Sequence, residues 1–242
     1  GKKLSVGLTA PLVAFGVTSM NTANDIQVKW KEVEKVYGST AGAFERDVGS
    51  LSSAVDELTL KFGQQKEAVL DALGALAAMG YEGPGAIDML TQSLEFATTG
   101  GMGLEEAMSG VVAISKIYGV EGNKLKDVLA SLNTVENATG ASMQDLNIAI
   151  QEAGSVAKTA GVDVNELSAM MAALRERAIP AGEAANGLKT IFTRLRSETD
   201  EARAIYEKYG ITVQEGNGQL KEADEILMDL AEVWPKLTDV ER

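Results

Sequence analysis

An all-α fold follows from three features of the sequence read together. Apolar residues recur at three- and four-residue spacing in run after run, which places them on one face of a helix. The runs end at Gly. The apolar content, 45% of the residues, is carried by Ala, Leu, Val, Ile and nine Met with only 5% aromatics, a set that favours helices and fills irregular gaps between them. At 242 residues the chain is long enough to bury one sizeable core or two small ones.

Taken in order, Thr9-Ala10-Pro11 predicts a first helix, since Thr can cap and Pro is tolerated in the first turn. The stretch from Val6 to Met20 is apolar but contains Gly7, Pro11 and Gly16. It falls short of the roughly 20 residues needed to span a bilayer, so it reads as a buried helix and membrane contact is not expected of it. Ile26, Trp30, Val33 and Tyr37 form the next stripe, broken at Gly38-Ser39-Thr40. Leu51, Val55, Leu58 and Phe62 run up to Gly63, and Val69, Leu73, Leu76 and Met79 run up to Gly80.

The middle of the chain repeats weakly. Met79-Gly80-Tyr81, Tyr118-Gly119-Val120 and Ala160-Gly161-Val162 each close an apolar run, and secondary breaks fall at Gly100-Gly101-Met102-Gly103 and Thr139-Gly140-Ala141. The period is about 40 residues, enough for two helices joined by Gly turns. Ser142 and Asp163 are expected to cap the helices that follow, and Asp163-Val164-Asn165-Glu166 has the spacing of a capping box. Two architectures fit: loosely repeated helical pairs, or an irregular multi-helix bundle. The bundle is favoured because similarity between units scarcely extends beyond the Gly punctuation. In either, Leu125, Val128, Leu129, Leu132 and Val135 should be core, as should Leu167, Met170, Met171 and Leu174, and Leu188, Ile191, Phe192 and Leu195.

Near the C-terminus the period changes. Ile211-Thr212-Val213 alternates, Gly216-Asn217-Gly218 signals a turn, and Gln219-Leu220-Lys221 could return, which predicts one small β-hairpin near residues 210–221 leaning on helices. Three regions result: N-terminal helices over 1–63, a helical core of Gly-punctuated pairs over 64–203, and a helix, hairpin and closing helix over 204–242. The chain lacks an initiator Met and stops abruptly at Asp239-Val240-Glu241-Arg242, as expected of a fragment of a longer protein.

Composition excludes much chemistry. With no Cys and no His, disulfides, thiolate catalysis, Cys/His metal sites and imidazole acid–base chemistry are all removed. A formal net charge of −13 argues against tight, sequence-specific nucleic-acid binding, which needs a concentrated basic surface. Gly100-Gly101-Met102-Gly103 lacks the Lys-Ser/Thr of a phosphate loop, and Glu105 and Glu106 put negative charge where phosphate would sit. Between Tyr81 and Ala173 there are 12 Asp or Glu against 4 Lys, scattered along helices as a solvated face rather than gathered as a glycosidase pair. Glu215-Gly216-Asn217-Gly218 has too few oxygen ligands for calcium. No enzyme activity, cofactor or metal site is therefore expected. The one basic cluster is Arg175, Arg177, Lys189, Arg194, Arg196 and Arg203, interleaved with acids. It reads as intrachain salt bridges on helix faces, or as a salt-sensitive docking patch for an acidic surface, a neighbouring copy included.

Three segments carry a family resemblance. They are Leu8-Thr9-Ala10-Pro11-Leu12 leading to Asn24-Asp25-Ile26; Met170-Met171-Ala172-Ala173-Leu174-Arg175-Glu176-Arg177-Ala178-Ile179-Pro180-Ala181-Gly182-Glu183-Ala184-Ala185 running into Leu188-Lys189 and Arg194-Leu195; and Tyr209-Gly210-Ile211-Thr212-Val213 with Gly218-Gln219-Leu220. In this order the chain resembles the core region of phage tail tape measure proteins. It departs at Ile179-Pro180-Ala181, where the family more often shows Gly, which stiffens that corner. The resemblance implies a virion or prophage-encoded structural protein inside the tail tube that sets tube length during assembly and leaves through the tip when DNA is delivered. The implied partners are the tail tube protein, tip or hub proteins, tail assembly chaperones and other copies of the chain. One helix of 242 residues would span roughly 360 Å, yet the Gly breaks fold the chain back, so the segment is expected to be a compact attachment or oligomerisation module rather than the measuring length. A cellular helical scaffold and, behind it, a cell-wall hydrolase module are the alternatives.

Overall fold

The computed structural model describes residues 24–37, 42–195, 199–215, 221–239 and 241. The helix expected from Thr9-Ala10-Pro11 lies outside the described residues. All the regular structure among them is helical. The contacts divide the chain into two units, Gly1–Thr98 with Gly103–Met108, and Thr99–Met102 with Ser109–Arg242.

In the first unit, α1 (24–36), α2 (Ala43–Phe62), α3 (Lys66–Ala78) and most of α4 (Gly83–Gly100) follow one another. The expected stripes decide the packing. Leu51, Val55 and Leu58 of α2 are buried, as are Val69, Leu73 and Leu76 of α3, and these two helices pack together. Val33 of α1 lies against Gly74, and Trp30 and Tyr37 flank Phe44 with ring centroids 6.3 and 5.8 Å away. Tyr37 donates a hydrogen bond to Asp47 at 3.0 Å and accepts one from the Gly83 N–H. Lys29 pairs with Asp71 at 2.7 Å. Met79, expected in the core, is instead exposed, since α3 ends before it and the chain turns at Gly80.

The second unit holds the larger part of α5 (Leu104–Tyr118), then α6 (Gly122–Ala138), α7 (Met143–Thr159), α8 (Val164–Glu176), α9 (Ala181–Leu195), α10 (Asp200–Tyr209), α11 (Ala223–Val233) and a 3₁₀ turn at Trp234–Lys236. Both expected caps form as full capping boxes. Ser142 Oγ accepts from the Asp145 N–H at 3.2 Å while Asp145 accepts from the Ser142 N–H at 2.9 Å; Asp163 and Glu166 exchange the same bonds at 2.9 and 2.7 Å.

The packing within this unit follows the sequence period. α7 packs most extensively on α9 and α6 on α8, with α7–α8 and α8–α9 contacts closing the stack. α5 and α7 meet at Gly110 with Asn147 and, seven residues on along both helices, at Ile117 with Gly154. Equal advance along both chains means that α5 and α7 run parallel, as equivalent helices of successive pairs do when pairs stack. The close approach needs small residues: a Cβ on Gly110 would overlap the side-chain oxygen of Asn147.

The core stripes of the later helices are only partly covered. Leu125, Leu132, Leu167, Met171, Leu188, Phe192 and Leu195 are buried, whereas Val128, Leu129, Val135, Met170 and Leu174 are half-buried and Ile191 is 39% exposed.

The expected β-hairpin is not seen among the described residues. Among the described residues there is no strand, only an isolated bridge at Gln214, with the Lys221 N–H donating to the Val213 carbonyl at 3.0 Å; residues 216–220 lie outside the described set. The alternation arises because Ile211 and Val213 are both buried, which an extended segment achieves without a partner strand. Two residues after Lys221, the Ala223 N–H already donates to the Ala160 carbonyl at 3.0 Å. That bond fixes the start of α11.

The α8–α9 corner shows a non-Gly residue in the left-handed region, Ala178 with φ 60°. Its N–H donates to the Arg175 carbonyl at 2.9 Å and the Ile179 N–H to the Leu174 carbonyl at 3.3 Å, a helix-closing turn that usually takes Gly. The left-handed penalty on Ala exceeds the extra unfolded-chain entropy of Gly, so Ala178→Gly is expected to stabilise the chain by about 0.5–1 kcal/mol in urea unfolding. Gly110→Ala should do the reverse. A mid-helix Gly→Ala change ordinarily stabilises, but overpacking against Asn147 is expected to lower the unfolding free energy by about 1–3 kcal/mol and the melting temperature with it.

Candidate docking surface

The six basic residues of the sequence cluster fall into different settings. Arg175, near the end of α8, is structural. Its Nε donates to Asp145 Oδ2 at 3.0 Å and its Nη1 to the Ile179 carbonyl at 2.6 Å, tying the capping box of α7 to the α8–α9 turn. Burial pushes the Asp145 carboxyl up, but the Ser142 N–H, the Arg175 guanidinium and the Ser142 hydroxyl together outweigh it and hold the group below its usual range. Lys189 and Arg194 lie on the outer face of α9 with Asn186, Thr190 and Thr193, around an open depression of about 290 Å³. Arg203 is on α10, 3.8 Å from Asp200, beside a separate depression at Tyr206 and Thr212. Arg196 lies outside the described residues.

Arg177 stands apart from the rest, on the rim of an apolar groove of about 540 Å³. Met170, Ala173, Leu174 and Arg177 form one wall, at the i, i+3, i+4, i+7 spacing of a single face of α8 continued into its cap. Asp224, Leu227, Met228 and Ala231 form the other at the same spacing on α11. Leu188 and Ile191 of α9 lie between. Met170, Leu174 and Ile191 are among the residues whose spacing predicts core and whose burial is incomplete. The sequence predicts the α11 segment as a closing helix without marking its groove-lining face; the spacing of Leu227, Met228 and Ala231 from Asp224 is the signal that marks it.

Gly101 has a φ of 59° and α5 opens with Glu105 and Glu106 in its first turn, an arrangement that disfavours phosphate. Among the described residues no group of three acids is placed to hold a metal ion, and no helix is long and apolar enough to cross a membrane.

What these features define is an acidic helical module with two surfaces of different chemistry, an apolar groove and a basic helix face. A family model described as phage-related minor tail protein matches residues 54–242, and the chain belongs to that family. It is similar to the tape measure protein of Pneumococcus phage Dp-1, 21% identical over 242 residues, which are 100% of this chain and 21% of that protein. It is also similar to the probable tape measure protein of Escherichia phage P2, 23% identical over 236 residues, 96% of this chain and 28% of that protein. The chain thus spans only 21–28% of the length of these relatives. No solved structure matches it.

The Arg175–Asp145 contact yields a prediction of its own. Both side chains are mostly buried, 27% and 13% exposed, and Arg175→Met removes a charge-assisted bond and a bond to a turn carbonyl. The expected cost is about 1.5–3 kcal/mol of unfolding free energy. Because the folded-state pKa of Asp145 is depressed, its contribution is present above the ordinary value of 3.8 and is lost as pH falls below it. The gap between wild type and variant in unfolding experiments should therefore be full at pH 7 and shrink on acidification below about pH 4.

Proposed function

We propose that the chain is a segment of a phage tail tape measure protein, acting in tail length determination, tube assembly and genome delivery, and that within it this segment is a non-enzymatic attachment and oligomerisation module. The carrying observation is that two proteins named as tape measure or probable tape measure match all or nearly all of the chain. The helix lengths support the division of labour. The longest helix among the described residues, α2, has 20 residues and so spans about 30 Å, and the successive helices double back; a ruler needs extended length, which this reading assigns to sequence elsewhere in a longer polypeptide.

The partners of this reading are the tail tube protein, tip or hub proteins, tail assembly chaperones and other copies of the chain. Its location is the tube lumen or tip of the virion, and the host cytoplasm during assembly. The face of α9 bearing Lys189 and Arg194 is a docking patch for acidic protein surface; Arg175 contributes by holding the corner between α8 and α9, and Arg177 and Arg203 stand on other surfaces. Contacts of this kind weaken as salt rises.

In-frame deletion of the segment tests the assignment. The expected outcome in electron micrographs of lysates is a sharp fall in the number of complete tails or loss of their tips. Tails of normal number, shortened only in proportion to the residues removed, would overturn the attachment role.

A further inference from the structure

Helix α10 is held differently from its neighbours. α6, α7, α8, α9 and α11 each bury two residues or more, whereas α10 buries none. Its apolar side, Ala202, Ile205, Tyr206 and Tyr209 at i, i+3, i+4 and i+7, is only half covered, and full burial resumes beyond its end at Ile211 and Val213. The last turn of α10 is tied instead to the segment that follows α11. Lys208 Nζ donates to Glu241 Oε1 at 2.6 Å, and the Tyr209 hydroxyl lies 3.1 Å from Glu241 Oε2 and 3.2 Å from the Lys236 carbonyl, able to donate to either. Glu241 Oε2 also accepts from the Thr238 N–H and the Thr238 hydroxyl, both at 2.8 Å, and the Glu241 N–H donates back to the Thr238 carbonyl at 3.0 Å. Leu237, within the same segment, is buried. Four donors thus converge on one carboxylate whose side chain is 16% exposed. Lys208 first, then the Thr238 N–H and hydroxyl, hold that carboxyl far below its usual range, at about 2, so it is charged at any ordinary pH.

We propose that residues 234–239 with Glu241 form a strap, Glu241 being its catch, and that α10 is a releasable arm: when the catch opens, α10 and the strap come away together while the α6–α9 stack stays folded. A helix with no fully buried side chain gives up little hydrophobic free energy on leaving. The polar ties lie at a rim open to water, Lys208 being 57% exposed, and exchange for hydrogen bonds to water at small net cost. One carboxylate serves both segments, so the loss of either frees the other. With 10 residues, α10 is too short to stay helical in water once undocked, and release is therefore a local order-to-disorder step. The strapped and released forms make a two-state element that a binding partner or an applied load can bias without unfolding the core. The device belongs to the fold and does not rest on the tail role proposed above.

Amide hydrogen exchange of the 242-residue chain at neutral pH, read by mass spectrometry, tests it, with circular dichroism melts as the control for folding. In the wild type the amides of 200–209 and 236–239 are expected to exchange faster than those of α7 and α8. Glu241→Ala should speed both segments by about tenfold, because it removes the acceptor of a charge-assisted bond and of its three companions, while α7 to α9 change by less than about twofold. Lys208→Met should speed the same two segments by about threefold or more, reaching the strap from a position 33 residues away in sequence. Should Glu241→Ala fail to fold, Glu241→Gln carries the same test, since it keeps an acceptor for Thr238 and loses the charge facing Lys208. Faster exchange in the strap alone would overturn the hold on α10. Faster exchange spread through α7 to α9, or wild-type α10 as slow as α7, would place α10 in the cooperative core and overturn the arm. Exchange unchanged in every variant would overturn the catch.

Discussion

The second unit depends on how closely α7 can be approached. Its buried residues are dominated by small ones, Ala149, Ala153, Gly154 and Ala157 with Asn147, while Met143, Leu146 and Ile150 supply bulk. Interiors are packed like crystals, and missing volume on one helix must be made up by its neighbour. α5 makes it up from one side, bringing Ile117 against Gly154, and α9 packs along α7 with Ala184, Ala185, Leu188 and Phe192 buried. A larger residue on α7 would push its neighbours apart. The alanine-rich, aromatic-poor composition is thus the means by which successive helical pairs stack at short range.

Helix ends and core faces were legible because local chemistry determines them. Ser142 and Asp163 can satisfy the first free N–H groups of α7 and α8 whatever packs above them, and Gly80, Gly119 and Gly161 adopt positive φ where a helix must close. The break at Thr139-Gly140 is of a different kind, with Thr139 extended at φ −134°. Ile211 and Val213 misled because alternation reports burial of every second residue, not the presence of a partner strand. The decisive contact there, between the N–H of Ala223 and the carbonyl of Ala160, joins residues 63 apart in sequence and follows from no local pattern.

Periodicity also names a face without naming what covers it. Leu188 and Ile191 lie on adjoining positions of α9 and both border the groove, yet the first is buried and the second largely open to solvent. The same limit applies to charge. Arg175 and Arg177 are two residues apart and identical in type; the first reaches Asp145 and the turn carbonyl, the second faces the groove. Composition could gather these residues into one basic stretch, but the 100° step of the helix distributes them among different surfaces.

The stacking of helical pairs has a kinetic side. The main contacts among α6 to α9 join helices at most two apart, so each closes a loop of about 40 residues or fewer, and closure entropy grows only slowly at that length. Chains dominated by such short-range contacts fold quickly, and in a linear stack each pair depends on its neighbours rather than on a single distant nucleus. Pulled from one end, such an array yields pair by pair at modest force instead of all at once, and it can reform in the same order when the load is removed.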